Sequence, residues 1–246
     1  ELANRMAEQS SNVIKFLFSY IDFAKYVRWL VPFNIGRRIG IMKLIGGFGS
    51  PFVRRGAGSL NCLGLDWEQE AISAFDNPDP IRKHNPLVRV PTVVLDDGEA
   101  LFESYAILDA LDEIAGESKR LIPASGVARR TAMRLTAAAT GTMDKAVWAY
   151  YEGRFHPAEK VHEPWIEHNE EQVMGGLGYL DACAAEAGQG WLAGGERIGQ
   201  ADISATVAIG FANRVRPNLG VLDKFSNLAA FAARCEAMDE FASVAP

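Results

Sequence analysis

Cysteine is scarce in this 246-residue chain, with only Cys62, Cys183 and Cys235. Three scattered thiols form neither a disulfide framework nor a zinc spacing, and they suit a reducing, cytoplasmic setting. Histidine is equally sparse: His84, His156, His162 and His168 make no HExxH pattern, and the six-residue gap between the last two suits shared ligation poorly, so no metal is expected. The net charge of −6 carries no basic stripe, which excludes a nucleic-acid footprint. Long clean apolar runs are missing too. The richest one, 13–33, is interrupted by Asp22, Lys25 and Arg28, too much charge for a membrane span. It also lacks the small-residue cleavage motif of a signal peptide. No internal repeat or low-complexity tract stands out.

What is present divides unevenly. Residues 1–41 hold six basic and three acidic side chains, a net of +3, leaving −9 for the remainder. Three readings of this segment stand: an interfacial or partner-docking helix at 13–33, an ordered extension, or a piece outside the functional protein. The last is preferred because Met42 to Ile45 reads as a start followed at once by a strand. A membrane contact follows only if 13–33 is functional.

From Met42 the order is regular. A strand at 42–45 leads through Gly46-Gly47-Phe48-Gly49 to Ser50-Pro51, a serine N-cap with proline at the first helical position. Gly56 and Gly58 weaken that helix, each by about 1 kcal/mol relative to Ala, and Gly64 is its stop. A second strand is expected over 66–72, a turn at Asn77-Pro78-Asp79-Pro80, and a brief helical piece reaching Asn85-Pro86. Val90 to Leu95 and Ala100 to Phe102 form a hairpin about Asp97-Gly98. Pro91 cannot donate to a ladder and belongs at a strand start or bend. Ser104 is the expected N-cap of a helix running to about Ala115, which would set backbone N–H groups and a hydroxyl at one sheet edge, a site for a carboxylate. Gly116 to Ser125 reads as a linker. Beyond it only helical patterns occur: 127–151, 158–187, 202–215 and 229–241.

Three segments in this order resemble the cytosolic glutathione S-transferase family, of a bacterial type with serine at the active-site position: Ser50-Pro51-Phe52-Val53-Arg54-Arg55, Asn85-Pro86-Leu87-Val88-Arg89-Val90-Pro91 and Leu101-Phe102-Glu103-Ser104-Tyr105-Ala106-Ile107. Ile198 to Ser204 is similar to the family's buried capping segment, with Gly199 where Ser or Thr is usual. That departure is expected to deprive Asp202 of a reciprocal partner and to weaken the helical half. The resemblance implies an α/β thioredoxin-like domain over 42–117, then an all-α helical-bundle domain over 118–246.

It also implies the chemistry. On the residues alone, Ser50 is either a plain helix cap or a donor to a sulfur at the positive end of a helix dipole. The resemblance implies the second, with the thiolate belonging to glutathione as cosubstrate. Val53 stands where thioredoxin-like redox proteins keep a second cysteine, so no protein dithiol acts. By the same likeness a cis Pro91 turns the Val90 backbone toward the cysteinyl unit of glutathione. Ser104 takes the γ-glutamyl carboxylate and Glu103 faces the ammonium. Arg89 either reaches the glycyl carboxylate or is a solvated surface residue. Phe48, Met143, Trp148 and Tyr151 are candidates for an electrophile pocket, with a core role the commoner one for such residues. Arg54 and Arg55 are expected to neutralise carboxylates across a domain or dimer interface. The expectation is thus a cytoplasmic, homodimeric detoxification enzyme joining glutathione to a small electrophile. The alternatives are a non-catalytic glutathione-binding or interaction module and a membrane-associated protein.

Overall fold

A computed structural model describes residues 40–246. The leading segment 1–41, with its candidate helix at 13–33, lies outside the described residues but for its last two. The first half of the described chain follows the expected order: β1 (Met42–Ile45), α1 (Pro51–Leu63), β2 (Trp67–Glu70), α2 (Asp79–Arg82), β3 (Thr92–Val94), β4 (Ala100–Phe102) and α3 (Ser104–Ala115). The strands form one sheet in the order β2-β1-β3-β4, parallel between β1 and β2 and antiparallel elsewhere. β1 pairs on both sides, and its Met42, Leu44 and Ile45 are buried, as a central strand requires. β4 is an edge, so the chain leaving it for α3 does so at the rim of the sheet.

Helices make up the second half: α4 (Gly126–Phe155), α5 (Glu163–Ala187), α6 (Gln200–Val215), α7 (Val221–Lys224), α8 (Ser226–Glu236) and α9 (Asp239–Ala242). The expected helix at 158–187 begins only at Glu163, after a single 3-10 turn at Ala158–Lys160. Pro164 sits in its first turn, where its missing N–H does no harm; further inside it would break the ladder. The helix expected over 229–241 is divided, because Met238 takes an extended conformation between α8 and α9.

Small residues let these helices come close. Ala132, Ala139, Ala146 and Ala149 of α4 and Ala201, Ala205, Ala208 and Ala212 of α6 are all buried. At Gly176 of α5, an added Cβ would lie 2.0 Å from Thr142 Oγ1 of α4, so only glycine fits that approach. The glycines of α1 differ. An added Cβ at Gly58 would lie 3.6 Å from Ile203 Cγ2, and at Gly56 3.9 Å from Leu44 Cδ1. Those are ordinary contact distances. α1 runs unbroken to Gly64, whose φ of 63° closes it.

Polar groups join α1 to the helical half. Arg54 meets Glu236 through Nη1 at 2.8 Å and Nη2 at 2.5 Å, and its Nε donates to the Val244 carbonyl at 3.1 Å. Ser59 Oγ lies 3.0 Å from Gln200 Oε1, and Asn61 Nδ2 donates to the Glu240 carbonyl at 2.8 Å. At Gly199 the expectation holds in part: no side chain caps α6, so no hydroxyl returns a bond to Asp202. Asp202 keeps both oxygens bonded, accepting from Gly199 N–H and Leu192 N–H at 2.7 Å each. A Cβ at Gly199 would lie 3.0 Å from the Leu121 oxygen, which already accepts from Gln200 N–H. Glycine here removes crowding that a serine would introduce.

Candidate functional site

β1 ends in a loop whose last residue, Ser50, caps α1 with extended backbone angles. Its Oγ accepts from Val53 N–H at 3.5 Å, a long contact that leaves the hydroxyl proton free to donate elsewhere. Proline at the first helical position removes an N–H that would have had no helical partner.

The turn before β3 is built around Asn85, which is fully buried. Its Nδ2 donates to the Arg89 carbonyl and to Thr92 Oγ1, each at 3.0 Å, and its Oδ1 accepts from Leu87 N–H at 2.9 Å. The Val90–Pro91 peptide is cis, and Val88 holds a φ of 52°. A β-branched residue there is uncommon and costly. Asn85, which heads the segment that resembles the family's, and Thr92 are what hold this bend. An asparagine before one proline and a threonine after another were the available signals.

Across from that bend the chain enters α3. The expectation for Ser104 is corrected here: the N-cap is Glu103, with φ 65°, and Ser104 is the first helical residue. The Glu103 carbonyl accepts from Ile107 N–H at 3.0 Å. The left-handed turn at Glu103 starts the helix one residue early. No side chain caps α3, so the first-turn N–H groups are left for an outside acceptor. Ser104 itself is 6% exposed.

These pieces meet in one cleft of about 400 Å³. Arg89, Val90, Pro91, Glu103 and Ser104 line it together, joined by Phe52 and Tyr105, and by Ala137, Thr140, Gly141 and Asp144 of α4. Ser50 is not in its wall; Phe52, two residues on, is. Arg89 Nη1 lies 2.8 Å from Glu103 Oε1 across the mouth, with both side chains about half exposed. The cleft therefore presents one cation, two carboxylates and the open start of a helix.

The four candidates for an electrophile pocket do not line this cleft. Met143 is fully buried in the core, and Phe48 packs edge-on against Trp67 at 6.2 Å. Trp148 is half exposed, while Tyr151 packs against Phe75 at 5.6 Å and Phe155 at 5.0 Å. On α4 Met143 is buried, while its neighbour Asp144 faces the cleft. Arg55 is a second correction. It is fully buried, its guanidinium carbon 4.9 Å from the Tyr105 ring centroid, and none of its nitrogens bonds a described residue. Burial pulls this guanidinium down to about 10. The aromatic face, and no carboxylate, is what it meets.

Other shifted groups lie away from the cleft. Burial pushes the Asp202 carboxyl up to about 6, against the pull of its N–H donors. Burial also raises Asp112, which accepts from Leu121 and Ile122 N–H and so holds the linker to α3. Burial raises the Cys62 thiol to about 12 and the Cys235 thiol to about 11, so neither is a ready nucleophile. Among the described residues, no cluster of three or more His, Cys, Asp or Glu is placed to hold a metal, and no helix is long and apolar enough to cross a membrane.

Comparison with known proteins agrees with this architecture. The glutathione S-transferase N-terminal domain model matches residues 44–119, and the C-terminal domain model matches 163–234. The uncharacterised GST-like protein YibF of Escherichia coli (strain K12) is 26% identical over 182 residues, covering 72% of this chain and 85% of its own. A glutathione S-transferase from Methylobacterium radiotolerans, solved with glutathione sulfonate, superposes with a TM-score of 0.76 at 27% identity, covering 84% of this chain and 95% of its own. One from Methylobacillus flagellatus with glutathione bound gives 0.75 at 29% identity, covering 83% and 99%.

Proposed function

We propose that this chain, which belongs to the glutathione S-transferase family, binds glutathione in the cleft and activates its thiolate for attack on a small electrophile. One observation carries the reading: Arg89, Val90, cis Pro91, Glu103 and Ser104, drawn from two separate segments, line a single cleft. The glutathione and glutathione sulfonate named with the two solved relatives support the choice of ligand.

Each residue has a role that its geometry suits. Ser104 and the unpaired N–H groups of the first turn of α3 receive the γ-glutamyl carboxylate. Glu103 faces the ammonium, and Asp144 adds negative charge across the cleft. Val90, whose backbone N–H and C=O make no hydrogen bond with a described residue, pairs with the cysteinyl unit beside Pro91. Arg89 leaves its ion pair with Glu103 for the glycyl carboxylate; such an exposed pair is worth at most about 1 kcal/mol. Ser50 donates a hydrogen bond from its hydroxyl to sulfur at the positive end of α1, and so favours the thiolate over the thiol. Residues 42–117 form the glutathione-binding domain in this reading, and 118–246 the helical domain. The homodimer, the cytoplasmic setting suited to three free thiols and the detoxification role belong to the same proposal.

A second reading, glutathione binding without turnover, is favoured by the position of Ser50 outside the cleft wall. Conjugation of an aryl halide separates the two. Turnover that falls on the order of 100-fold in Ser50→Ala supports the enzyme. Binding without turnover in the wild type supports the carrier.

A further inference from the structure

Arg214, the penultimate residue of α6, reaches from the helical half to the loop that delivers Ser50. Its Nη2 donates to the Gly49 carbonyl at 2.5 Å. That loop is soft by composition, with glycine at 46, 47 and 49. Its start is pinned, since Gly46 N–H donates to the Glu70 carbonyl and Gln69 Nε2 to the Gly46 carbonyl, each at 2.9 Å. At its end Ser50 N–H merely folds back on the Gly47 carbonyl at 3.0 Å. Among the described residues, Arg214 supplies the only bond to Gly49 from outside the loop.

The guanidinium is itself steadied. Its central carbon lies 5.6 Å from the ring centroid of Phe211, one turn earlier on α6. Its charge is also uncompensated: neighbouring Arg54 is paired with Glu236, whereas Arg214 makes no ion pair among the described residues. A free cation therefore stands beside the N-terminal end of α1, where positive potential favours a thiolate.

We propose that Arg214 is a positioning residue for the thiol-activating serine. Its Nη2 bond to the Gly49 carbonyl fixes the Gly49–Ser50 peptide so that the Ser50 hydroxyl is aimed at sulfur, and its charge adds to the positive end of α1. The inference rests on the glutathione reading above and deepens it. Lysine in its place keeps the charge and loses the planar guanidinium held at Phe211; methionine carries neither charge nor donor.

The test uses the full chain and measures two quantities for the wild type, Arg214→Lys and Arg214→Met. One is glutathione affinity by calorimetry; the other is the pKa of the bound thiol, from thiolate ultraviolet absorbance across pH. In the wild type the bound thiol titrates below free glutathione. Arg214→Met raises that pKa by about one unit, a tenfold loss of thiolate at a given pH, while affinity changes less than about threefold because the γ-glutamyl site is untouched. Arg214→Lys lies between the two. A wild type that lowers the pKa, with Arg214→Met lowering it equally, overturns this inference and leaves the glutathione reading standing. A wild type that binds no glutathione overturns the glutathione reading itself.

Discussion

The contact between Arg54 and Glu236 makes a prediction whose direction is not obvious from the pair alone. Arg54 is 5% exposed and spends all three guanidinium nitrogens, two on Glu236 and one on the Val244 carbonyl. The Glu236 side chain is 36% exposed. Removing the arginine, as Arg54→Met, leaves a carboxylate that water can reach, and the loss is about 2 kcal/mol, the scale of one or two charge-assisted hydrogen bonds. Removing the carboxylate, as Glu236→Ala, leaves a buried guanidinium with one carbonyl and with Arg214 as a neighbouring cation. That costs about 3–4 kcal/mol, as expected for an uncompensated buried charge. Glu236→Ala is therefore the more harmful change, although it lies on the more exposed partner. Urea denaturation of both single variants and the double variant closes a cycle, with a coupling of about 2 kcal/mol expected. A coupling under about 0.5 kcal/mol, or Arg54→Met harming stability more than Glu236→Ala, would refute this account of how α1 is held.

The glycines and the buried acid give further tests. Gly58→Ala should raise stability by about 0.5–1 kcal/mol, because the added methyl fits at 3.6 Å from Ile203 and the helix gains propensity. Gly176→Ala should lower it by about 1–2 kcal/mol net, since its Cβ would collide with Thr142 Oγ1; thermal melts distinguish the two signs. Asp202, raised to about 6 in the folded chain against about 3.9 unfolded, holds its proton more tightly when folded. Its contribution is therefore most favourable below about pH 4 and is lost as pH rises through about 6. The stability of the wild type relative to Asp202→Asn should accordingly grow as pH falls from 7 to 5; a gap that is flat, or that shrinks, contradicts a raised carboxyl.

The sheet and the bend at Pro91 were legible because their signals are local. Asp97-Gly98 sets the hairpin, Ser50-Pro51 opens α1, and a proline just ahead of Thr92 must precede the ladder. The N-cap of α3 lies one residue before Ser104, and nothing in a glutamate announces a left-handed φ. The cleft wall was harder still. α4 is 30 residues long, and whether Met143 or Asp144 faces the cleft depends on how tightly α4 seats against α5 and α6. That depth is set by alanines and by Gly176, which carry little signal one at a time. Arg55 failed for a related reason: a basic residue in a sequence suggests an acid nearby, and only packing brings the Tyr105 ring over it.

Calorimetry of glutathione with the wild type and with Ser104→Ala decides whether this cleft is the glutathione site. Binding in the wild type should weaken about tenfold or more in Ser104→Ala, since a buried hydroxyl and the open first turn of α3 share the γ-glutamyl carboxylate. No binding in a folded wild type, or equal binding in both, would contradict it.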